Sequence, residues 1–343
     1  MTFVPGKSVI EPRGRFLPLV SIGLALMVGA LAISGCKPRF APVTTAETYF
    51  FQLPVVFSIC AGSLEELQVA AALAGSEIRR LEKVFNPLNP DGRLYQLNET
   101  RSVTDAEFYP ILERAYQVSQ LTNDGLNIFM GYLERAYGFD RRFPRPPDQS
   151  AVRELLLPLR RTSIQFIPDN YQVKIPSDAF DVSLTGIQEG YAADQALAYL
   201  VFAGILNAMV QVGSHVACGG SPDGLGWPIS VRDPGSGAMA VELFVENSGV
   251  ATASINDQTY TFRDNTYYNH LDPATGRPVR SLRSVTVVAP SCELAGSLAR
   301  GIFVMNPEEG LRLLNDLPEV DGILLDSEGG IAISDSLFIW TGE

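Results

Sequence analysis

The stretch Asn269-His270-Leu271-Asp272-Pro273-Ala274-Thr275-Gly276-Arg277-Pro278 decides how the rest of this chain is read. Asp-Pro and Thr-Gly place two tight turns in one loop: Pro fixes φ, Asp bonds to the backbone ahead of it, and Gly supplies a left-handed step. Alone, this is a surface turn. Downstream, Ser284-Val285-Thr286-Val287-Val288-Ala289-Pro290 is a β-branched strand that ends in a turn. Residues 292–304 and 307–315 are then patterned as helices. Upstream, Ile229 to Val231, Val241 to Val245 and Thr259 to Phe262 read as strands. Ile323 to Leu325, Ile331 to Ile333 and Leu337 to Trp340 close the chain as strands.

The first half is helical. Phe50 to Cys60 is a strand-like apolar run. Ser63-Leu64-Glu65-Glu66 forms a capping box. Leu64, Leu67, Ala71, Ile78, Leu81 and Phe85 then make one helical stripe, broken by the rigid turn Asn86 to Gly92. Thr104 and Glu107 predict a second capping box before a helix near 105–121. Arg141 to Pro147 is a basic, Pro-rich loop. Glu189-Gly190-Tyr191-Ala192-Ala193-Asp194 leads into another helix, whose N-terminus can receive phosphate. Helices first, then strands with two helices interposed, predict an α+β domain with mixed sheets over 50–343, without an internal linker.

Composition narrows the function classes. The chain has 343 residues, 46% apolar and 19% charged, which suits a globular domain and argues against disorder. Its net charge is -12, and no basic face is visible, so nucleic acid is not an expected partner. Cys36, Cys60, Cys218 and Cys292 form no CxxC, and His215 and His270 stand apart with no HExxH. A zinc ribbon, a dithiol motif and a histidine-rich metal site are excluded. A disulfide among Cys60, Cys218 and Cys292 and three buried free thiols both remain open.

Residues 1–35 read as an export signal. Lys7, Arg13 and Arg15 precede Phe16 to Ile33, an 18-residue run without charge. Ile33-Ser34-Gly35-Cys36 then resembles a bacterial lipobox. Cleavage before Cys36 and lipidation of its thiol would tether the chain to a membrane in the cell envelope, facing the periplasm or exterior, with residues 36–49 as a tether. An uncleaved transmembrane helix is the alternative, since 18 residues just span a bilayer.

Taken together, the 269–278 loop, the EGYAAD segment at 189–194 and the strand-turn-helix from Ser284 to Met305 resemble the ApbE-type FAD:protein FMN transferases. The likeness extends to Leu94-Tyr95-Gln96-Leu97-Asn98, Thr122 to Phe139 and Val210 to Ser214. It implies an ApbE-like α+β fold, a single compact catalytic-type domain of mixed sheets flanked by helices. It also implies FAD bound in a cleft with Mg2+ on its pyrophosphate. FMN would pass to a Thr or Ser hydroxyl of an acceptor protein, with release of AMP. Exported lipoproteins are common in that family.

The resemblance also assigns positions. Its magnesium ligands, an Asp and a Thr four residues on, fall on Gly296 and Arg300, neither of which can ligate Mg2+. A third ligand, a backbone carbonyl, falls on Gly186. The catalytic His position is Asn269, with His270 one residue later. Such a shift along a strand turns a side chain to the other face, so His270 reads as a packing or surface residue. The flavin positions map to Leu88, Gly125, Leu126, Asn127, Ser183 and Glu189, with Asp272 and Thr275 from the loop. Asp181 lies two residues before Ser183, and the family's Thr-Ser-Gly loop becomes Thr252-Ala253-Ser254.

Arg300 carries a fixed positive charge at a ligand position. It is expected either to pair with phosphate in place of Mg2+ or to pair with Glu293 or solvent. The functional expectation is therefore an exported FMN transferase with a remodelled site. The alternatives are a flavin or nucleotide binder without turnover and a protein-interaction scaffold. The chain is not itself a flavin acceptor, because Ser236-Gly237-Ala238-Met239 puts Met where a hydroxyl is required.

Overall fold

A computed structural model describes residues 43–60, 63–139, 141–159, 163–178 and 180–337. The export segment, Cys36 and the end of the strand expected at Leu337 to Trp340 lie outside the described residues. In chain order the elements are β1 (Val43–Phe50), β2 (Leu53–Ile59), α1 (Leu64–Phe85), α2 (Arg93–Thr100), β3 (Ser102–Thr104), α3 (Phe108–Leu121), α4 (Gly131–Tyr137), α5 (Gln149–Leu159), β4 (Gln165–Ile167) and β5 (Gln172–Lys174). There follow α6 (Gln188–Phe202), β6 (Ala208–Val212), β7 (His215–Gly219), β8 (Trp227–Arg232), β9 (Met239–Val245), β10 (Gly249–Ser254), β11 (Thr259–Phe262) and β12 (Asn265–Tyr268). The chain continues with β13 (Leu282–Ala289), α7 (Cys292–Val304), α8 (Pro307–Asp316), β14 (Asp321–Asp326) and β15 (Ile331–Ile333).

Eight strands form one sheet in the order β1-β2-β6-β7-β10-β13-β14-β15, and every strand pair among the described residues is antiparallel. Its central strands are buried on both faces, and the period of two sorts their side chains. Ala217 of β7, Ala251 of β10 and Leu324 of β14 point into a core shared with α1, α6 and α7. Their neighbours Val216, Cys218, Val250, Ile323 and Leu325 point into a second core closed by Trp227, Val231, Val241 and Leu243 of the β8–β9 ribbon. Each large apolar side chain so buried contributes roughly 1.5–3 kcal/mol, so the sheet is held from both sides. This is the α+β architecture that the order of elements implied.

Local chemistry starts the helices. Ser63 Oγ accepts from the Glu66 amide at the start of α1. Ser291 Oγ accepts from the Leu294 amide at the start of α7, and Asn306 with Pro307 opens α8. At α3 the expected Thr104–Glu107 box is replaced by Asp105, whose Oδ1 accepts from the Glu107 and Phe108 amides at 2.9 Å. Asp at this position offers two acceptors and displaces the Thr hydroxyl. The stretch expected as a tether over 36–49 is corrected in part, because residues 43–45 and 48–50 of β1 pair with β2 on either side of a shift in register. Phe50 is fully buried there. Strand β10 and helices α4 and α5 had no counterpart in the sequence reading.

Helix α7 sets the site. It packs against β10, β13 and α6. Gly190 makes the α6 contact possible, since a Cβ there would stand 2.4 Å from the Cys292 carbonyl oxygen. Packing therefore occupies this glycine. From α6, Asp194 also accepts from the Cys292 and Glu293 amides at 2.9 Å, capping α7 from outside its own chain segment. Among the described residues no helix is long and apolar enough to cross a membrane.

Candidate functional site

A cleft of about 290 Å³ opens beside α7. Its walls are Thr185, Gly186 and Glu189 at the start of α6, Gly213 to His215 at the β6–β7 turn, and Thr252 and Ala253 of β10. Asn256 to Gln258, Asn269 and His270 beyond the β11–β12 hairpin, and Gly296, Ala299 and Arg300 of α7 complete it. Gly296 and Arg300 are one turn apart, so both face the same wall.

Gly186 has φ +85°, a left-handed step that glycine accommodates. Its amide donates to Glu189 Oε2 at 2.6 Å, which fixes the buried Glu189 at the helix start. Its carbonyl oxygen lies 3.0 Å from His215 Nε2. A carbonyl only accepts, so Nε2 is the donor in this contact. Gly296 lies against both groups: a Cβ there would stand 2.4 Å from the Gly186 oxygen and 2.7 Å from His215 Nε2.

Arg300 faces the same wall. Its Nη2 donates to Glu134 Oε1 at 2.5 Å and to the Asn269 carbonyl at 3.3 Å. Glu134 Oε2 in turn accepts from Ser183 Oγ at 2.6 Å, and Ser183 lies 3.1 Å from Thr185 Oγ1. The guanidinium is therefore oriented from behind, while its Nε and Nη1 donate to no described residue. Its expected partner Glu293 instead pairs with Arg114. Asp181 is held by Arg101 and Arg135 and does not line the cleft.

Asn269 and His270 both line the cleft, because the chain leaves β12 at Tyr268 and the strand alternation stops there. His270 is buried against Phe303, with ring centroids 4.5 Å apart. Its Nε2 lies 3.1 Å from Asp257 Oδ2. Of the packing and surface positions expected for His270, the structure shows the packed one. Burial pulls its pKa below the usual imidazole value, against the opposing pull of Asp257. Asn269 Nδ2 donates to Gln258. His215 Nδ1, Asn269 Oδ1 and His270 Nδ1 are buried without a hydrogen-bond partner among the described residues. Buried polar atoms are rarely left so, and three in one cleft mark a place prepared for a polar ligand.

Of the positions assigned from sequence, the structure brings Gly186, Glu189, Asn269, Gly296 and Arg300 together here. Ser183 stands one hydrogen bond behind them. Asp272 and Thr275 line a separate groove of about 880 Å³ with Tyr137, Arg153, Arg277 and Arg280. There the Asp272 carboxylate accepts from the Ala274 amide and the Thr275 hydroxyl, closing the two turns read from sequence. Gly125 packs on the Gly301 carbonyl, Leu126 is buried, and Asn127 Oδ1 accepts from the Phe129 amide. Leu88 is 74% exposed. None of these four lines the cleft. Sequence reasoning missed His215, Glu134 and Asp257. A lone His, a mid-helix Glu and a turn Asp carry no local signal.

The donor set does not fit Mg2+. The Gly186 carbonyl is engaged by His215, Gly296 has no side chain, and Arg300 brings a positive charge. No group of three or more His, Cys, Asp or Glu among the described residues is placed to hold a metal ion. Cys60, Cys218 and Cys292 are free thiols, and burial pushes Cys218 up to about 12. They are inert at neutral pH.

Comparison with known proteins agrees with this architecture. A model of the ApbE family matches residues 51–324. The FAD:protein FMN transferase of Vibrio cholerae is 29% identical over 255 residues, 70% of this chain and 76% of its own length. That of Haemophilus influenzae is 24% identical over 310 residues, 85% of this chain and 88% of its own length. Among solved structures, the ApbE protein of Thermotoga maritima superposes with a TM-score of 0.77 at 23% identity, over 86% of this chain and 97% of that one. The flavin transferase ApbE of Vibrio cholerae superposes at 0.71 and 21%, with the same coverages.

Proposed function

The chain belongs to the ApbE family, and from that membership and the cleft beside α7 we propose that it takes FAD and transfers FMN to a Thr or Ser hydroxyl of an acceptor protein, releasing AMP. The carrying observation is the convergence of Gly186, Glu189, Asn269, Gly296 and Arg300 on one cleft with three unpartnered buried polar atoms. In this reaction the acceptor oxygen bonds to the FMN phosphorus, the pyrophosphate bridge breaks toward AMP, and the hydroxyl proton must be accepted. Asn269 does not take that proton near neutral pH. His270 does so in this reading, kept neutral by burial and oriented through Nε2 by Asp257. Arg300 Nε and Nη1 offer two directed donors to phosphate oxygens.

One observation favours a second reading, flavin binding without turnover: neither position 296 nor 300 supplies an oxygen ligand. Incubation with FAD and candidate envelope proteins separates the two. Release of AMP together with a fluorescent covalent flavin on an acceptor supports transfer. Bound FAD with no AMP supports the second reading, and no bound flavin removes both. We also infer a lipid anchor at Cys36 in the cell envelope, supported by the uncharged run from Phe16 to Ile33 and the small residues before the cysteine.

A further inference from the structure

We propose that this chain holds its flavin nucleotide without a divalent cation, with Arg300 supplying the positive charge and His215 filling the space of the missing carboxylate. The flavin part rests on the function proposed above. The loss of ligands at 296 and 300 is not a vacancy here, because other groups have closed over it. His215 Nε2 donates into the Gly186 carbonyl, the one oxygen left of the three positions, and leaves no room for a side chain on Gly296. Arg300 is 13% exposed and is fixed by Glu134 and the Asn269 carbonyl, so its charge is permanent and its direction is set.

Arg300 brings a positive charge to this point, and its ion pair with Glu134 Oε1 at 2.5 Å is part of the charge balance there. A guanidinium binds phosphate oxygens through directed N–H donors, whereas a metal binds them as a Lewis acid. Ligand affinity therefore persists while metal dependence disappears. Glu134 belongs to the device. It removes none of the Nε and Nη1 donors, and Ser183 satisfies its second oxygen.

The test uses the full chain purified in mild detergent. Mn2+ is titrated without flavin and followed by electron paramagnetic resonance; only the free-ion signal is expected. A one-to-one site that Mg2+ displaces overturns the proposal. FAD and FMN are then titrated by fluorescence, with Mg2+ and with a chelator. Affinities within about twofold of each other are expected, and strengthening by about tenfold or more with Mg2+ overturns it. The double variant Glu134→Gln/Arg300→Gln keeps the side chains hydrogen-bonded without charge. It is expected to bind at least about tenfold more weakly, with Arg300→Lys in between. Unchanged affinity in a folded double variant removes Arg300 from the site. If neither flavin binds in any condition, the flavin reading fails, and the Mn2+ titration still decides whether the centre takes a metal.

Discussion

His215 Nε2 lies 3.0 Å from the Gly186 carbonyl oxygen and within the space that a side chain at position 296 would enter. Histidine at 215 and glycine at 296 are therefore one arrangement. Gly296→Ala places a Cβ 2.4 Å from that oxygen and 2.7 Å from the imidazole. Overpacking of this kind costs roughly 1–3 kcal/mol. His215→Ala in the same chain recovers part of the loss, because one of the two close contacts goes while the carbonyl contact stays. A denaturant-melt cycle of the four proteins measures this coupling. Simple additivity would falsify the shared-space account.

The Arg300–Glu134 pair is buried enough to matter. Its side chains are 13% and 17% exposed, beyond the range of a screened surface pair. Glu134→Ala leaves a guanidinium without its counter-charge and removes the carboxylate that accepts from Ser183, at a cost of about 3 kcal/mol. The Glu134→Gln/Arg300→Gln double variant loses less, because no lone charge remains. Urea unfolding followed by circular dichroism ranks them. A double variant less stable than Glu134→Ala contradicts the ion-pair account.

What the sequence showed and hid follows from range. Ser63 and the Leu67–Phe85 stripe announced α1, and the β-branched run at 284–288 announced β13, because both signals are local. Strand β10 reads Gly-Val-Ala-Thr-Ala-Ser: buried on both faces against close-packed α7, it is built of small residues without alternation. Helix α5 follows a Pro-rich loop, carries Pro158 and leaves its leucines partly exposed, so its stripe is weak. Positions 186, 189, 269, 296 and 300 were found through a family pattern. Glu134 was not, because it meets Arg300 from 166 residues away and only the fold joins them. His215 was missed for the same reason: its partner sits 29 residues upstream on another element.

Asp194 gives a pH signature. Burial pushes its carboxyl up to about 6, against two amide bonds that pull it down. The unfolded value is near 3.8. Between those values the folded chain binds more protons than the unfolded chain, so the sign is a stability that is greatest below about 3.8 and falls as pH rises to about 6. The span corresponds to about 3 kcal/mol at most. Asp194→Asn, less stable overall for want of one acceptor, loses this slope. Melting temperatures of both proteins across the acid range check it; parallel curves would mean that Asp194 does not titrate in this window.

The lipid anchor proposed at Cys36 would set where the chain works. Lipidation adds acyl chains whose burial is worth about 0.8 kcal/mol per methylene, enough for stable anchoring with two or more chains. The expected outcome is a mature protein that begins at Cys36, carries the added lipid mass and fractionates with membranes. Cys36→Ser is expected to lose the lipid mass and the mature N-terminus at 36. An unmodified full-length chain in the membrane would instead support an uncleaved span by residues 16–33.

In the proposed transfer His270 is the proton acceptor, with its Nε2 on Asp257 and its Nδ1 without a partner among the described residues. Its pKa lies below the ordinary 6.5, chiefly through burial. The base is neutral and competent above that depressed value, so AMP release should rise with pH and level off before neutrality. His270→Gln keeps a polar side chain but accepts no proton, and the rate should fall by about two to four orders of magnitude. Asp257→Asn removes the influence that raises the pKa. The acid limb should then move to lower pH, and the plateau should drop as the imidazole loses its orienting carboxylate. A structural role alone would lower the rate without moving the limb. FAD affinity measured alongside separates the two effects: a general base leaves binding nearly unchanged while the rate collapses, whereas a packing residue loses both together.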